Sequence, residues 1–318
     1  MGPLSPFPLA PAPGASAPLR AAVLGHPVAH SLSPVLHAAA YRQLGRPAEY
    51  VRRDVPEHDW DGFLAGARRD GGWSGFSVTM PLKALAARDA QYRTPLVRAL
   101  GVANTLTVRP DGSLAADNTD VMGIMSALAA AGEIPADPTA VVLGGGATAT
   151  AALAALHGLG ASRVDAVVRS PHRARSLHDA AAALGARVRV RGWDEAPAAL
   201  QAADVVVCTL PPHGADELAH EWERRAPTVT GVLLDVAYDP WPSALAGAWR
   251  AAGGAVVPGV DMLVFQAVDQ VRWFIRGEPR TPVPHEDAVT AAMCRAVQRP
   301  ERRIPERVRR AQTTRLAG

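Results

Sequence analysis

The sequence predicts an α/β protein with two domains. The chain has 318 residues, more than the roughly 100–200 of one typical domain, and 48% of them are apolar. Strand-like apolar runs alternate with Ala-rich helical stretches, a pattern typical of mostly parallel sheets. A Gly/Pro/Asp-rich break at residues 131–139 divides this alternation into two series. We therefore expect an N-terminal α/β domain followed by a Rossmann-type domain, with helices at the end of the chain returning to the first domain.

The first series covers residues 19–132 and follows a Pro/Ala-rich stretch at residues 1–18, which we interpret as a flexible tail. Asp111 and Gly112 predict the turn of a hairpin within this series. Pro81 is favourable in the first turn of a helix and is expected to begin one. The remaining expectations are strands at 21–25, 48–55 and 73–79, and helices at 34–45, 60–71, 81–90 and 122–131.

The second series covers residues 133–258 and repeats strand and helix after a Gly-rich turn, as Rossmann-type domains do. An amphipathic stretch at 261–277 follows, and we expect the helices of residues 259–298 to pack on the first domain. Strands are expected at 140–144, 164–169, 186–190, 204–210, 231–236 and 254–259, and helices after the Gly-rich turn and at 172–185, 195–202, 214–225 and 243–252.

Positive charge is concentrated at the end of the chain. Residues 299–318 carry seven arginines and two glutamates, whereas the whole chain has a net charge of only +3, so the body is slightly acidic. We interpret this segment as a solvated basic tail, with weak polyanion binding as the alternative. A nucleic-acid partner is therefore not expected.

Other classes are excluded by local composition. No segment reaches the roughly 18–20 consecutive apolar residues of a membrane span, and the N-terminus lacks the order of a signal peptide. Cys208 and Cys294 are too few and too far apart for a disulfide framework or a zinc site, which suits a reducing cytoplasm. His26, His30 and His37 lie close together in sequence, but a metal site needs further ligands, and we expect none.

The stretch AVVLGGGATA has the elements of a dinucleotide-binding turn. Gly144 would end the strand with a tight turn, Gly146 would let a backbone N–H approach a pyrophosphate, and Ala149 takes the small position where helix meets strand. The alternative is a Gly-rich connection that holds no ligand. The cofactor-binding residues expected here are Gly144, Gly145, Gly146, Ala147 and Ala149.

The end of the next strand predicts which cofactor binds. NAD-binding proteins usually present an Asp or Glu there to the ribose 2′-hydroxyl, and neither occurs in VVRSPHRAR. Arg169, Ser170 and Arg173 stand at that place, and guanidinium groups suit a phosphate dianion. We therefore expect NADP rather than NAD, with arginines that merely solvate a helix N-terminus as the alternative.

The first series also holds polar residues at positions where folding does not require them. Lys83, for example, is predicted in the first turn of a helix, where a cation opposes the helix dipole. Taken singly, each has an ordinary explanation, such as Ser33 capping a helix whose first residue is Pro34. The residues of this kind are Ser31, Ser33, Thr79, Lys83, Asn104, Asn118, Thr119 and Asp120.

Together these motifs resemble the shikimate dehydrogenase family, in family order over about residues 20–275. The resemblance implies a substrate domain completed by the returning C-terminal helices, with an NADP domain between its two parts. It also implies reversible NADPH-dependent reduction of 3-dehydroshikimate to shikimate, on the route to chorismate and the aromatic amino acids. The motifs that carry it are GHPVAHSLSP, FSVTMPLK, GVANTL, DNTDVMG, LGGGATA, VRSPHRA, DVAYDP and GVDMLVFQA.

The resemblance further implies roles for single residues. Lys83 and Asp120 would form the catalytic pair, Ser31 and Ser33 would bind the substrate carboxylate, and Gly259 would lie at the cofactor. Hydride arriving at a ketone carbon builds negative charge on its oxygen, so a proton donor such as the Lys83 ammonium must lie within hydrogen-bond reach. The other implied substrate-binding residues are Thr79, Asn104, Thr119, Tyr238 and Gln266.

Three departures from the family pattern bear mainly on the cofactor. Ser77 stands where the family frequently has Asn, and Val168 replaces the Asn before the phosphate-reading arginine. The glycine-rich turn is GGGAT, with Thr150 where a basic residue is frequent. We expect these changes to alter cofactor affinity more than reaction type.

Two other functions share some of these features. A paralogue acting on quinate or an aminated shikimate analogue would keep the motifs, since one ring substituent changes discrimination by only a few kcal/mol. An inactive NADP-binding regulator would be expected to lack Lys83 or Asp120, and both are present. We expect a small-molecule substrate and a monomeric or homodimeric cytoplasmic protein.

Overall fold

The structure, a computed structural model, describes residues 18–278, 281–306 and 308–309, and of Arg173 the backbone alone. Within these residues the strands form two six-stranded sheets, one from each of the two series seen in the sequence. Helices connect the parallel strands in both. The predicted α/β class is confirmed.

The first sheet mixes parallel and antiparallel strands. The strands are β1 (Leu19–Gly25), β2 (Ala48–Asp54), β3 (Gly75–Val78), β4 (Tyr92–Arg93), β5 (Thr105–Val108) and β6 (Leu114–Asp117). The helices are α1 (Ser33–Gln43), α2 (Trp60–Asp70), α3 (Lys83–Asp89), α4 (Pro95–Leu100) and α5 (Asp120–Ala131). The strand order is β2-β1-β3-β5-β6-β4; β1 is parallel to β2 and β3, and β5 is antiparallel to β3 and β6. The predicted hairpin is the β5–β6 connection.

The second sheet is parallel throughout. Its strands are β7 (Ala140–Leu143), β8 (Val164–Val168), β9 (Val188–Gly192), β10 (Val205–Cys208), β11 (Val232–Asp235) and β12 (Ala255–Pro258). Its helices are α6 (Ala147–Gly158), α7 (Arg175–Leu184), α8 (Ala196–Gln201), α9 (Asp216–Arg225) and α10 (Ala244–Ala251). The order β12-β11-β10-β7-β8-β9 is that of a Rossmann fold, whose ligand crevice lies where the strand order reverses, between β7 and β10.

Two helices return to the first sheet, as predicted. They are α11 (Gly259–Arg276) and α12 (Glu286–Ala296). Helix α11 packs along α5 and is buried on almost every face. Because α5 leads from the first sheet to the second and α11 leads back, both helices border the cleft between the sheets. Buried Arg272 ties α11 to α12 through Glu286 at 2.5 Å.

The start of α1 differs from the prediction by one residue. Helix α1 begins at Ser33, with Pro34 second, so Ser33 is not its cap. The hydroxyl of Ser31 accepts the backbone N–H of Ser33 at 3.3 Å and supplies the acceptor expected from a cap. Helix α4 was not predicted, although Thr94 caps it by accepting the N–H of Val97 at 3.2 Å.

The basic segment after residue 298 is anchored to the protein by some of its described residues, although others, such as Arg303, are exposed. Ile304 and Val308 are buried in the core that contains α11. Arg299 and Arg302 form ion pairs with Asp261 of α11, at 2.9 and 3.3 Å. The prediction of a solvated tail is therefore wrong for this part, because apolar side chains between the arginines anchor it. Of the predicted N-terminal tail, all but the last residue lies outside the described residues.

In the described part of the chain, every helix is too short or too polar to cross a membrane.

Candidate active site

A cleft of about 280 Å³ lies between the two sheets, beside the first turn of α11. It brings together residues from distant parts of the chain that the sequence had pointed to separately. The predicted site residues that line it are Ser31, Ser33, Thr79, Lys83, Asn104, Asp120, Tyr238, Gly259 and Gln266.

Lys83 and Asp120 form a buried ion pair at the floor of this cleft. Lys83 is the first residue of α3 and Asp120 the first of α5, so two helix N-termini converge here. Lys83 Nζ lies 2.5 Å from Asp120 Oδ2, and the two residues are only 9% and 5% exposed. The Asn104 amide donates to the other carboxylate oxygen at 2.8 Å. Both Asp120 oxygens are thus engaged, which fixes the direction of the ammonium.

Lys83 is also the only lysine in the sequence, among 33 lysine and arginine residues. A guanidinium does not release a proton at neutral pH, whereas an ammonium can. The single lysine of the chain therefore stands at a buried position in the cleft, where it faces the Asp120 carboxylate. This count is a sequence signal for a proton donor that does not depend on any motif.

Asn104 organises the polar residues beside the pair. Its amide nitrogen donates to Thr119 Oγ1 at 3.0 Å and lies 3.3 Å from Gln266 Oε1. Its oxygen accepts the backbone N–H of Thr119 and the Thr105 hydroxyl, each at 2.8 Å. Thr119 does not line the cleft directly, but it holds Asn104 and Gln266 in place. These contacts keep the amides of Asn104 and Gln266 in fixed orientations.

The two serines lie at another part of the cleft. The guanidinium of Arg52 donates to the carbonyl of Ser31 at 2.6 and 3.0 Å and so holds the loop before α1. The Tyr50 hydroxyl donates to Ser77 Oγ at 2.6 Å. Burial raises the pKa of Tyr50 above its usual value, while hydrogen bonds with Ser77 and Ser33 act in the opposite direction. Tyr50 is therefore a neutral hydrogen-bond donor to Ser77.

Gln270 is a lining residue that the sequence did not single out. It lies one turn after Gln266 on α11, donates to the carbonyl of Asn104 at 3.1 Å and accepts from Ser77 Oγ at 2.7 Å. His37 contacts the same Gln270 oxygen at 3.3 Å. Burial lowers the pKa of His37 from 6.5 to about 3, so its ring is neutral. Ser77 thus joins the serine end of the cleft to α11.

The glycine-rich turn leaves room for a ligand at the N-terminus of α6. Gly144 has φ +114° and its missing Cβ would lie 2.5 Å from Thr209 Oγ1, so only glycine fits. A Cβ on Gly146 would meet no atom within 4 Å, which leaves the first N–H groups of α6 open to a pyrophosphate. Ala149 is fully buried, and the Thr150 hydroxyl bonds the carbonyl of Ala147 at 2.8 Å instead of facing the turn.

The end of β8 presents a cation beside the glycine-rich turn and the N-terminus of α6, which together we call the groove. Arg169 is exposed, whereas the one acidic residue of β8, Asp165, pairs with Arg191 at 2.7 Å within the sheet. Ser170 follows Arg169 and is half-buried; the side chain of Arg173 lies outside the described residues. A guanidinium at this strand end, with the strand's carboxylate paired elsewhere, fits the 2′-phosphate of NADP.

The groove and the cleft meet at Lys83. Thr148, in the first turn of α6, has its Oγ1 3.4 Å from Lys83 Nζ and also lines the cleft. Gly259 lies at the same junction, and a Cβ there would be 2.2 Å from the carbonyl oxygen of Val236. Substrate in the cleft and a dinucleotide on α6 would therefore share one contact region. Thr148 was not predicted from the sequence, although it lies within the glycine-rich motif.

Comparisons with known proteins agree with this layout. Residues 23–106 match the family model for the shikimate dehydrogenase substrate binding domain, and residues 114–243 match that for the alanine dehydrogenase/PNT C-terminal domain. Shikimate dehydrogenase (NADP(+)) of Methylobacterium radiotolerans is 36% identical over 278 residues, which cover 86% of this chain and 96% of that relative. The chain belongs to the shikimate dehydrogenase family.

Solved structures of the family have the same fold. The crystal structure of Mycobacterium tuberculosis shikimate dehydrogenase superposes with a TM-score of 0.75 at 40% identity, covering 87% of this chain and 100% of that one. Shikimate 5-dehydrogenase of Thermus thermophilus, solved in complex with NADP(H) and shikimate, gives 0.70 at 32% identity, with 87% and 99% covered.

The three histidines near the serines have separate environments in this family member. His26 pairs with Asp54 at 2.8 Å, His37 is buried beside Tyr41 and Gln270, and His30 lines the cleft. Within the residues that the structure describes, no three His, Cys, Asp or Glu side chains are grouped so as to hold a metal ion.

Proposed function

We propose that this protein catalyses the reversible NADP-dependent interconversion of 3-dehydroshikimate and shikimate. The observation that supports it most directly is the Lys83–Asp120 pair, which lies where the substrate cleft meets the N-terminus of α6. The relatives named shikimate dehydrogenase (NADP(+)) match over most of the chain, which supports the same assignment.

The reaction needs a proton donor beside the reacting oxygen. Bound NADPH supplies the hydride that the ketone carbon accepts. The Lys83 ammonium gives its proton to the oxygen on which negative charge develops, and Asp120 keeps that ammonium aimed into the cleft. In the reverse direction Lys83 accepts the hydroxyl proton. The chain thereby provides the proton transfer that hydride transfer requires.

The rest of the cleft suits a hydroxylated ring with one carboxylate. Ser31, Ser33 and Tyr238 offer hydroxyls that can bind the carboxylate, away from the ion pair. Fixing the carboxylate aligns the ring for hydride transfer. The remaining polar groups, which can bind ring hydroxyls, belong to Thr79, Asn104, Thr119 and Gln266.

For the cofactor, we assign the pyrophosphate to the turn Gly144 to Ala147 and the 2′-phosphate to Arg169, Ser170 and Arg173. The open space at Gly146 and the exposed Arg169 guanidinium support this assignment.

A panel of substrates and cofactors tests the proposal. Shikimate and quinate, each with NADP and with NAD, are assayed by absorbance at 340 nm, and kcat/KM is compared. We expect the highest value for shikimate with NADP. A larger kcat/KM for quinate would reassign the substrate, and NADPH binding without any turnover would favour a regulator.

The domain boundaries stay proposals: a substrate domain of residues 19–132 with 259–298, and a cofactor domain of residues 133–258. A cytoplasmic location and a monomeric or homodimeric state also stay predictions from the sequence.

A further inference from the structure

Arg169 is exposed, yet its guanidinium has two partners. It donates to the carbonyl oxygen of Gly214 at 2.6 Å, and its central carbon lies 5.2 Å from the centre of the Trp193 ring. The second distance is within the range of a cation–π contact. Arg169 lies one residue beyond β8, and both contacts are made by its side chain, so they fix the position of the guanidinium.

Both partners of Arg169 are themselves fixed. Trp193 directly follows β9, is half-buried and packs against the core formed by β7, β10 and α8 to α10. Gly214 closes a turn in which its N–H donates to the carbonyl of Pro211 at 2.9 Å. A Cβ on Gly214 would lie 2.8 Å from that same carbonyl oxygen, so the turn requires glycine. The two groups that contact the Arg169 side chain, the Trp193 ring and the Gly214 carbonyl, are therefore each held in place by other parts of the domain.

The strand order shows which part of the sheet lies between Trp193 and Gly214. Trp193 directly follows β9, Arg169 follows β8, the glycine-rich turn follows β7 and Gly214 lies after β10, in the sheet order β9-β8-β7-β10. The hydrogen bond from Arg169 to Gly214 thus passes across the end of β7. In a Rossmann fold this place, beyond the second strand, receives the adenosine half of a dinucleotide.

This arrangement affects the binding of a dinucleotide with a 2′-phosphate differently from the binding of one without it. A ligand without a 2′-phosphate must displace the guanidinium from the Gly214 carbonyl and offers no charge in return. A 2′-phosphate replaces a neutral acceptor with a dianion, and a charge-assisted hydrogen bond is the stronger of the two. Discrimination against the first ligand then comes from the broken contact as well as from the new one.

We propose that Trp193 and the Gly214 carbonyl hold Arg169 as a latch across the adenosine end of the groove, which makes Trp193 a positioning residue for 2′-phosphate recognition. The inference rests on the proposed function, because it assumes that NADP is the cofactor. Arg169 contacts the phosphate, and Trp193 acts through Arg169.

Calorimetric titration of Trp193→Ala and Trp193→Phe tests the positioning role. With 2′,5′-ADP and NADP, Trp193→Ala should raise Kd about two- to five-fold, the range expected for an exposed cation–π contact, and Trp193→Phe should raise it less. The Kd of NAD and the kcat at saturating NADP should not change. The matched control is Tyr92→Ala, which removes the ring under Arg109 in the other sheet. An equal loss of NAD affinity, or no loss for 2′,5′-ADP, would overturn the role.

Arg169→Ala tests the latch. The Kd of NADP should rise roughly 10- to 100-fold, as for a lost charged hydrogen bond, while the Kd of NAD falls, because NAD no longer has to break the Arg169–Gly214 contact; an unchanged Kd of NAD would count against the latch. A parallel rise for NAD would show that Arg169 only stacks on adenine, and the latch would be wrong. If the unaltered protein binds NAD better than NADP, the proposed cofactor is wrong; if it prefers NADP and Trp193→Ala keeps the same preference, the positioning role of Trp193 is wrong while the proposed function stands.

Discussion

At the scale of single residues, the proposed chemistry depends on the ammonium of Lys83. Lys83→Arg keeps a cation beside Asp120 but removes a group that can release a proton. We expect kcat to fall by two or more orders of magnitude in Lys83→Arg and in Lys83→Ala, with a smaller change in the KM for shikimate, because proton transfer belongs to the transition state.

Single-turnover and steady-state assays at 340 nm measure this effect. Near-normal kcat in Lys83→Arg would contradict the role of Lys83 as proton donor. Because Lys83 is the only lysine, reductive methylation with ¹³C labels it and the chain's N-terminus alone, so its ionisation can be followed directly.

Ser31 has a local and a functional role that can be separated. Its hydroxyl supports the start of α1 through the Ser33 N–H and also lines the cleft. Ser31→Ala should raise the KM for shikimate about ten-fold, the effect of one lost hydrogen bond to a carboxylate, and leave the KM for NADP nearly unchanged. Steady-state kinetics with each substrate varied in turn measure both values. Equal increases in both would indicate a disturbed fold instead of a lost contact.

His37 makes stability depend on pH. Its pKa of about 3 in the folded protein lies below the 6.5 of the unfolded chain, so between these values the unfolded state binds a proton that the folded state excludes. The contribution of the neutral His37 ring to the free energy of unfolding is complete above pH 6.5 and is lost as pH falls toward 3. Relative to His37→Gln, the free energy of unfolding should drop by ~1 kcal/mol between pH 6.5 and 5.5, measured by urea unfolding. Parallel curves for the two proteins would contradict this.

At the scale of elements, the turn between β7 and α6 contains two glycines with different roles: Gly144 is needed for the fold, and Gly146 leaves room for the cofactor. Gly144→Ala should lower the free energy of unfolding by about 1–3 kcal/mol, because φ is +114° and the Cβ would collide with Thr209. Gly146→Ala, where space is open, should change stability by less than about 0.5 kcal/mol yet weaken NADP binding. Urea unfolding and calorimetry measure the two effects. Equal stability of the two variants would refute the distinction.

At the scale of the whole molecule, the described part of the segment after residue 298 packs against α11, the helix that lines the cleft. Arg299 and Arg302 of this segment pair with Asp261, which lies between cleft-lining Gly259 and Met262 on α11. Ile304→Ala should lower the free energy of unfolding by about 2–5 kcal/mol, as for other buried aliphatic truncations. The exposed neighbour Arg303→Ala should change it by less than about 0.5 kcal/mol. Equal effects would mean that the segment is solvated after all.

The sequence by itself determined the α/β class, the order of most strands and helices, and the residue types of the candidate site. Buried parallel strands read as apolar runs, and a positive-φ turn requires glycine, so both leave local patterns. The presence of one lysine among many arginines is likewise readable without a structure.

Only the tertiary structure decided which of these residues meet. Gln270 and Trp193 carry no local signal, because their contacts are with residues distant in the chain. Thr148 lies in the glycine-rich motif, but that motif does not show that it meets Lys83. The basic segment after residue 298 was misjudged for the same reason: charge density is local, whereas the burial of Ile304 and Val308 against α11 exists only after the chain has folded back. Long-range packing sets these positions, and no periodicity in the sequence records it.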